Sequence, residues 1–173
     1  MKNFLSLVLL ILCIFQIKSN NASKIKKFAE SKIGCCYVFG ATGEKMSKNV
    51  LKNLIVKYGK DKIDAKVAQK YYGKHCYDNS GFVVMALNCI GIKLNNEIES
   101  ILGKIKWEQK GKIDKLPKEK VCLLFKGKNL QIETIGIYLG DGNFVYSKEG
   151  EGVVKQKLEE FKWTHWGIPE GLY

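Results

Sequence analysis

The spacing of apolar and polar positions changes along the chain. Up to about residue 105, apolar side chains recur three or four positions apart, which is the spacing of one face of a helix. From residue 121 onwards, compact apolar runs and alternation at every second position replace that spacing and indicate strands. Helices first and strands afterwards predict an α+β fold.

The most apolar of the helical segments, residues 82–90, predicts a buried helix at the centre of the core. Asp78, Asn79 and Ser80 are good N-cap residues, and Gly91 can end the helix in the left-handed conformation. The N-terminus of a helix carries unpaired N–H groups and the positive end of the dipole, so it is a natural place for chemistry. The residue that the sequence puts there is Asn79.

The other periodic segments predict three further helical regions and a sheet. The helical regions are an amphipathic first helix over 22–33, a pair of helices within 46–73 that end at Gly59 and Gly73, and a short helix over 98–105. The predicted strands are 121–125, 132–139, 143–147, 153–157 and 163–168, with Asp141-Gly142 as a two-residue hairpin turn between the second and the third.

Residues 1–19 predict a secretory signal peptide. A basic start precedes an apolar run over 4–17, and Ser19 provides a cleavage site, with Ala22 as a rival. The alternative is a membrane anchor, but about 14 apolar residues fall short of the roughly 20 that a spanning helix needs. We therefore expect secretion, either to the extracellular space or within the secretory and endolysosomal pathway. The rest, 22–173, is long enough for one domain with a proper core.

The charge of the chain is strongly positive. The formal net charge is +12, and every basic residue is Lys, with no Arg. Such a field favours anionic partners, among them cell-wall polymers, acidic glycans and membrane headgroups. Nucleic acid is not expected, because the bidentate contacts that Arg makes to guanine and phosphate are unavailable. Codon bias in an AT-rich genome explains the lysine content equally well. We expect a monomer without a stable membrane span.

Cysteine and histidine usage gives no support to a metal site. The sequence contains no Cys-x-x-Cys or His-x-x-His pair, so neither zinc nor another cofactor is expected. Cys13 leaves with the signal peptide, and the five remaining cysteines are an odd number, so at least one stays unpaired within an oxidised chain. Cys89 and Cys122 lie in apolar segments and are expected to be buried.

Four segments stand in an order and spacing that match a known pattern. They are Gly34-Cys35-Cys36-Tyr37-Val38-Phe39-Gly40, Asp78-Asn79-Ser80-Gly81-Phe82, Leu116-Pro117-Lys118-Glu119-Lys120-Val121, and Thr134-Ile135-Gly136-Ile137-Tyr138-Leu139-Gly140-Asp141-Gly142 with Tyr146 twelve positions after Thr134. Together they resemble the NlpC/P60 family of secreted cysteine peptidases and amidases, which cut peptidoglycan stem peptides. The resemblance implies a papain-like fold in which the central helix packs on an antiparallel sheet of about five to six strands. Residues 46–73 then form a helical insertion that rims the groove.

The resemblance also implies which residues occupy the active-site positions. In the active family, a thiolate at the helix N-terminus attacks an amide carbonyl, and a His on a neighbouring strand, oriented by a third polar group, keeps it deprotonated. This chain has Asn79 at the nucleophile position, Thr134 at the base position and Tyr146 at the third. None of the three can take over its role, so the positions indicate an inactive site.

The groove itself is expected to persist around these positions. Its expected lining consists of Tyr37, Asp78, Asn79, Ser80, Thr134 and Tyr146. Because the family brings the first two motifs together, the resemblance also implies a possible disulfide from Cys76 to one of the neighbouring pair Cys35 and Cys36, with Cys36 the preferred partner. The third motif lacks the Gly-Asp that follows the proline in the family, which puts the conformation of that loop in doubt.

Three functions remain open at this point. The preferred one is a secreted, catalytically inactive NlpC/P60-like protein that binds a peptidoglycan-type peptide, a glycan or a protein without cutting it. The second is an active peptidoglycan endopeptidase or amidase that uses displaced residues, with Cys76 or Ser80 as nucleophile. The third is a cationic interaction protein in which the lysine surface binds and the groove is vestigial.

Overall fold

The computed structural model describes residues 21–96, 98–128 and 131–173, and the predicted signal peptide lies outside them. The helices are α1 (described over 21–31), α2 (Lys48–Tyr58), α3 (Ala65–Gln69), α4 (Asn79–Asn88) and α5 (Ile98–Lys104). The strands are β1 (Cys36–Tyr37), β2 (Thr42–Lys45), β3 (His75–Tyr77), β4 (Trp107–Lys112), β5 (Val121–Lys128), β6 (Gln131–Leu139), β7 (Asn143–Lys148), β8 (Gly152–Lys157) and β9 (His165–Pro169). No helix in these ranges is long and apolar enough to cross a bilayer.

The main sheet has six strands in the order β4-β9-β5-β6-β7-β8, and each neighbouring pair is antiparallel. This confirms the predicted α+β fold and the sheet of about five to six strands that the resemblance implies, but β4 was not among the strands predicted from the sequence pattern. The sequence did not indicate the second, three-stranded sheet, in which β3 lies between β1 and β2. Its strands are only two to four residues long, too short for a periodic pattern, and β1 pairs with β3 in parallel.

Helix α4 is the buried centre of the domain, as its apolar sequence predicts. Phe82, Val83, Ala86 and Leu87 are fully buried, and the helix packs on β6 and β7 and on the small sheet. Met85 lies partly exposed at the edge of this core. The side chains that α4 meets on the main sheet include Ile135 and Ile137, which are also fully buried.

The opposite face of β6 and β7 is covered by an aromatic cluster. Phe144, Tyr146, Phe161 and Trp163 pack ring to ring, with centroid separations of 4.5–6.0 Å. Gly136 makes this possible, since a Cβ there would lie 2.9 Å from the Trp163 ring. The sheet is therefore buried on both faces where it passes the helix N-terminus.

The segment predicted as an insertion folds against its own small core. α2 begins after the cap Ser47 and ends at Gly59, whose φ is 90°, as predicted. α3 is shorter than predicted and stops at Gln69. The buried side chains beneath the segment form a cluster separate from that around α4; they are Val38, Ala41, Met46, Leu51, Leu54, Ile63, Ala68 and Cys76.

Three local predictions need correction. Cys89 is exposed, because α4 ends one residue before it. The first helix, predicted over 22–33, ends at residue 31, and its last apolar position, Ile33, is 43 % exposed in the turn that follows. The hairpin between β6 and β7 has a three-residue connection over 140–142, with two glycines at positive φ, and the register pairs Tyr138 with Phe144.

Candidate functional site

The N-terminus of α4 is held in place by the carboxylate of Asp78. Its two oxygens accept hydrogen bonds from Gly40 N (2.8 Å), Asn96 Nδ2 (3.1 Å), Ser80 Oγ (3.3 Å) and Gly81 N. Burial raises the pKa of Asp78, and the four donors only partly offset that rise. Asp78 therefore caps the helix and ties the first motif to the second.

Asn79 directs its side-chain amide at the backbone of two sheet strands. Its Nδ2 donates to Ile135 O (2.9 Å) and Ser147 O (3.0 Å), and its Oδ1 accepts from Ile135 N (2.7 Å). The pairing of β6 with β7 includes Ile137 opposite Val145 and does not continue to Ile135 and Ser147. The amide thus supplies the hydrogen bonds that a strand partner would make there, and we call this set of contacts the Asn79 bridge.

A cavity of about 350 Å³ opens beside the bridge, and we call it the Asn79 groove. It is lined by Tyr37, Asn79, Lys126, Glu133, Thr134, Tyr146, Ser147, Lys148, Glu149 and Phe161. The structure thus brings together four residues that the sequence placed at the site: Tyr37, Asn79, Thr134 and Tyr146. The register puts Thr134 and Tyr146 on the same face of the main sheet.

Asp78 and Ser80 were also expected at the groove, but the structure places them elsewhere. Both are buried and hydrogen-bonded to each other, and neither is among the residues that line the groove. The reason is the N-cap geometry, since a capping side chain folds back over the first turn of its own helix. Their contribution is to fix the direction of α4, which positions Asn79.

Sequence reasoning missed the charged lining of the groove. Lys126 pairs with Thr134 across β5 and β6, and its Nζ lies 3.8 Å from Glu133 and 5.2 Å from the ring centroid of Phe161. Only the strand register, which a bulge shifts next to Lys126, places these side chains at the site. Phe161 follows a short 3₁₀ helix after β8 and has no signal in the sequence pattern.

Two tyrosines line the groove as neutral hydroxyl groups. Burial, with the negative charges of Asp78 and Glu149, raises the pKa of Tyr37 to about 12. Burial also raises the pKa of Tyr146, although Lys148 counteracts it. At neutral pH both phenols are hydrogen-bond donors and acceptors, and neither is a base that could take the proton of a nucleophile.

A second cavity of about 220 Å³ continues the groove toward the insertion. It shares Tyr37 and Glu149 with the groove, and the rest of its lining comes from the first motif, from residues 62–71 in and around α3, and from Gly150; among them are Phe39, Lys62, Ile63, Asp64 and Tyr71. The helical segment 46–73 therefore forms a wall of this connected space. Charged side chains of both signs lie along it.

The thiol of Cys76 and the two imidazoles of the chain lie away from the groove. Cys76 is fully buried, and burial together with the neighbouring Cys36 thiol raises its pKa to about 12. His75 is exposed, with its Nδ1 2.7 Å from Gly43 O. His165 lines a different cavity on β4, β5 and β9. None of these three is among the residues that line the Asn79 groove.

Cys36 and Cys76 lie opposite each other on the parallel strands β1 and β3. The structure records both as free thiols, so the disulfide suggested by the resemblance stays a prediction. Within the described ranges, no three His, Cys, Asp or Glu side chains are placed to hold a metal ion.

Comparisons with solved structures identify the fold. The NlpC/p60 domain of the peptidoglycan hydrolase SagA matches with a TM-score of 0.57 and 18 % identity, covering 85 % of this chain and 97 % of that one. RipB, a peptidoglycan hydrolase from Mycobacterium tuberculosis, matches with a TM-score of 0.57 and 14 % identity over 87 % of this chain and 65 % of its own. NlpC1 from Trichomonas vaginalis matches with a TM-score of 0.53 and 17 % identity, covering 86 % of this chain and 45 % of its own. This chain thus spans nearly all of the SagA domain but less than two thirds of the other two proteins. A comparison with curated proteins gave no match.

A comparison of the sequence with protein-family models shows which family the chain belongs to. The model of the NlpC/P60 family matches residues 57–168, which is more than half of the 173 residues. The matched range contains α4, the hairpin of β6 and β7, and the residues Asn79, Thr134 and Tyr146, while the first motif precedes it. On this match, with the helix-on-sheet arrangement and the groove beside Asn79, the chain belongs to the NlpC/P60 family.

Proposed function

We propose that this NlpC/P60 protein binds a peptide of the cell-wall type in the Asn79 groove and does not cleave it. The observation that carries the proposal is the Asn79 bridge. The side chain at the nucleophile position is an amide, which is not a nucleophile at neutral pH. Its three hydrogen bonds hold it against the strand backbone. A peptide bond in the groove would meet no thiolate.

The surroundings of the groove support the absence of a substitute nucleophile. Cys76, the thiol nearest in sequence, is buried with a raised pKa, so it is neither accessible nor ionised at neutral pH. Thr134 and the neutral Tyr146 offer no base to activate a hydroxyl group or water. A displaced mechanism would have to build both a nucleophile and a base from these groups.

The lining of the groove supports a charged peptide as ligand. Lys126 and Lys148 can meet carboxylates, Glu133 and Glu149 can meet an amine, and the aromatic rings of Tyr37 and Phe161 give flat apolar contact. Peptidoglycan hydrolases are among the proteins with similar folds, and the positive net charge of the chain suits an anionic cell wall. We extend the proposal to a secreted protein on the strength of the signal-peptide pattern.

Co-sedimentation with purified peptidoglycan tests the binding. The informative variant is Glu149→Gln, because Glu149 borders both connected cavities. The matched control is Glu108→Gln, an exposed glutamate on β4 that raises the net charge equally. We expect Glu149→Gln to weaken binding about two- to fivefold, as for a partly exposed ion pair, and Glu108→Gln to leave it unchanged.

A variant that fills the groove should reduce peptidoglycan binding more strongly. Thr134→Trp puts a bulky ring at the half-buried wall of the groove and should reduce binding at least about tenfold while the protein still melts cooperatively. Binding that is equal in all variants and disappears at 1 M salt would contradict a groove ligand and indicate attraction to the lysine surface alone.

A further inference from the structure

A larger cavity, of about 500 Å³, lies on strands β4, β5 and β9 and shares no lining residue with the Asn79 groove. We call it the Trp107 cavity. Its apolar walls are Leu102 of α5, Trp107 of β4, Phe125 of β5 and Ile132 of β6. Neither the family's active-site positions nor the proposed peptide site uses it.

The aromatic wall of the cavity depends on a glycine in the adjacent strand. Trp107 meets Phe125 edge to face, with ring centroids 5.6 Å apart. A Cβ at Gly167 would lie 2.5 Å from the Trp107 ring, so the missing side chain lets the ring lie against β9. Trp166 donates its indole N–H to Lys112 O (3.0 Å), so this group is already satisfied. The walls therefore offer large apolar surface and few unpaired hydrogen-bonding groups.

The polar groups at the cavity are basic. Lys110, Lys112 and His165 line it, and the register puts all three on one face of the sheet, since Lys112 pairs with His165 and Lys110 with Gly167. Both lysines are exposed, and neither has an ion-pair partner within the described ranges. The lining contains no acidic residue among those described. The cavity thus combines an apolar interior with a positive rim.

We propose that the Trp107 cavity binds a single-chain carboxylate amphiphile, a free fatty acid in its simplest form. Its volume lies within the roughly 300–1,000 Å³ of small-molecule sites and exceeds that of any one amino-acid side chain. A peptide would leave its backbone N–H and C=O groups unpaired against Trp107 and Phe125, which is unfavourable. An alkyl chain needs no such partners, and its carboxylate can meet Lys110 and Lys112 at the rim. This site is independent of the peptide site proposed above.

Calorimetric titration tests whether the cavity binds the alkyl chain of the ligand. The whole mature chain is titrated with octanoate, decanoate and dodecanoate, each below its micelle concentration. We expect affinity to rise about fourfold for each added methylene group that is buried. Dodecanol and dodecylammonium, which have the same chain without the carboxylate, should each bind at least about tenfold more weakly than dodecanoate. Equal binding of all three head groups, or no dependence on chain length, would overturn the proposal.

A pair of charge-matched variants tests the site. Lys110→Gln with Lys112→Gln removes the two rim lysines, and Lys52→Gln with Lys60→Gln removes two exposed lysines of α2 and the loop after it. All four are surface positions, so folding is expected to be retained. The rim variant should lose dodecanoate binding at least about tenfold and the control should not. An equal loss in both would show attraction to the overall charge and contradict the assignment.

A third experiment distinguishes binding of a free fatty acid from binding of an acyl chain in a bilayer. Sedimentation with phosphatidylglycerol vesicles should give the same binding for the rim variant and the charge-matched control, because both lose two positive charges and a lipid in a bilayer does not present its chain to the cavity. Rim-dependent binding to vesicles, together with no binding of dodecanoate in solution, would overturn the free amphiphile.

Discussion

At the residue scale, the side chain of Asn79 joins the central helix to the main sheet. In an active relative, the side chain at this position has to face the substrate. Here it spans β6 and β7, with its amide between Ile135 and Ser147. The helix end and the sheet are thereby joined by hydrogen bonds at the point where the two strands are no longer paired. Three hydrogen bonds thus hold the Asn79 side chain against the sheet.

Variants at Asn79 should measure how much the Asn79 bridge contributes to the stability of the fold. Asn79→Ala leaves Ile135 N, Ile135 O and Ser147 O without their partner, and we expect it to lower the free energy of unfolding by about 2–4 kcal/mol. Asn79→Asp is the matched variant, since it keeps the acceptor for Ile135 N but places a carboxylate against two carbonyl oxygens, and it should destabilise at least as much. Urea unfolding monitored by circular dichroism gives both values. Two variants as stable as the wild type would contradict the bridge.

At the element scale, short contacts join segments that are far apart in sequence. β1 carries Tyr37 and is only two residues long, and it is fixed by its parallel pairing with β3. α1 is fastened to the hairpin of β6 and β7 by the ion pair between Lys26 and Asp141, at 2.8 Å. Each of these contacts can be tested separately.

The pairing of β1 with β3 makes Cys36 and Cys76 the expected disulfide. Directly opposed residues on neighbouring strands have Cα atoms about 5 Å apart, within the range that a disulfide spans. After refolding with glutathione disulfide, peptide mapping should find Cys36 linked to Cys76. Because the closed loop is long, Cys76→Ser should lower stability by roughly 3–4 kcal/mol under oxidising conditions and much less under reducing ones. Cys89→Ser is the control and should have little effect. A map that links Cys76 to Cys89 or Cys122 would contradict this pairing.

The ion pair of α1 predicts a pH dependence. The hydrogen bond with Asp141 raises the pKa of Lys26, and although burial alone would raise the pKa of Asp141, its hydrogen bonds from Lys26 and Asn143 lower it. The pair's contribution is therefore present at neutral pH, and it is lost as pH falls through the lowered pKa of Asp141 or rises through the raised pKa of Lys26.

Lys26→Met should thus cost about 0.5 kcal/mol at pH 7, a small value because both groups are partly exposed. The cost should be smaller at pH 2, where the hydrogen bond from Lys26 Nζ to Leu139 O remains but the ion pair is weakened. Lys27→Met, the exposed neighbour, is the control. Urea midpoints at the two pH values give the comparison, and an equal loss at both would exclude the ion pair as the cause.

At the scale of the whole molecule, the sequence predicted what depends on periodicity and motif order. The buried helix, the strand number and the convergence of Asn79, Thr134 and Tyr146 on one groove follow from those patterns. The charged lining depends instead on the β5–β6 register, so Lys126 was missed. Asp78 was expected in the groove because motif spacing does not show that a capping side chain turns back over its helix.

The placement of the insertion likewise depends on tertiary contacts. Its helices were predicted from their spacing, but only the structure shows that their residues and Glu149 enclose the second cavity next to Tyr37. The Trp107 cavity arises from a glycine on one strand and a tryptophan on another, which no local pattern relates.

The central claim is that this NlpC/P60 groove binds without cutting, and hydrolysis of purified sacculi tests it most directly. The mature chain is incubated with sacculi under reducing conditions, with the SagA domain as positive control, and soluble fragments are identified by mass spectrometry. We expect no stem-peptide fragments above the buffer blank, and no change on treatment with a thiol alkylating reagent. Thiol-dependent release of stem-peptide fragments that is lost in Cys76→Ala would contradict the account and identify Cys76 as a displaced nucleophile.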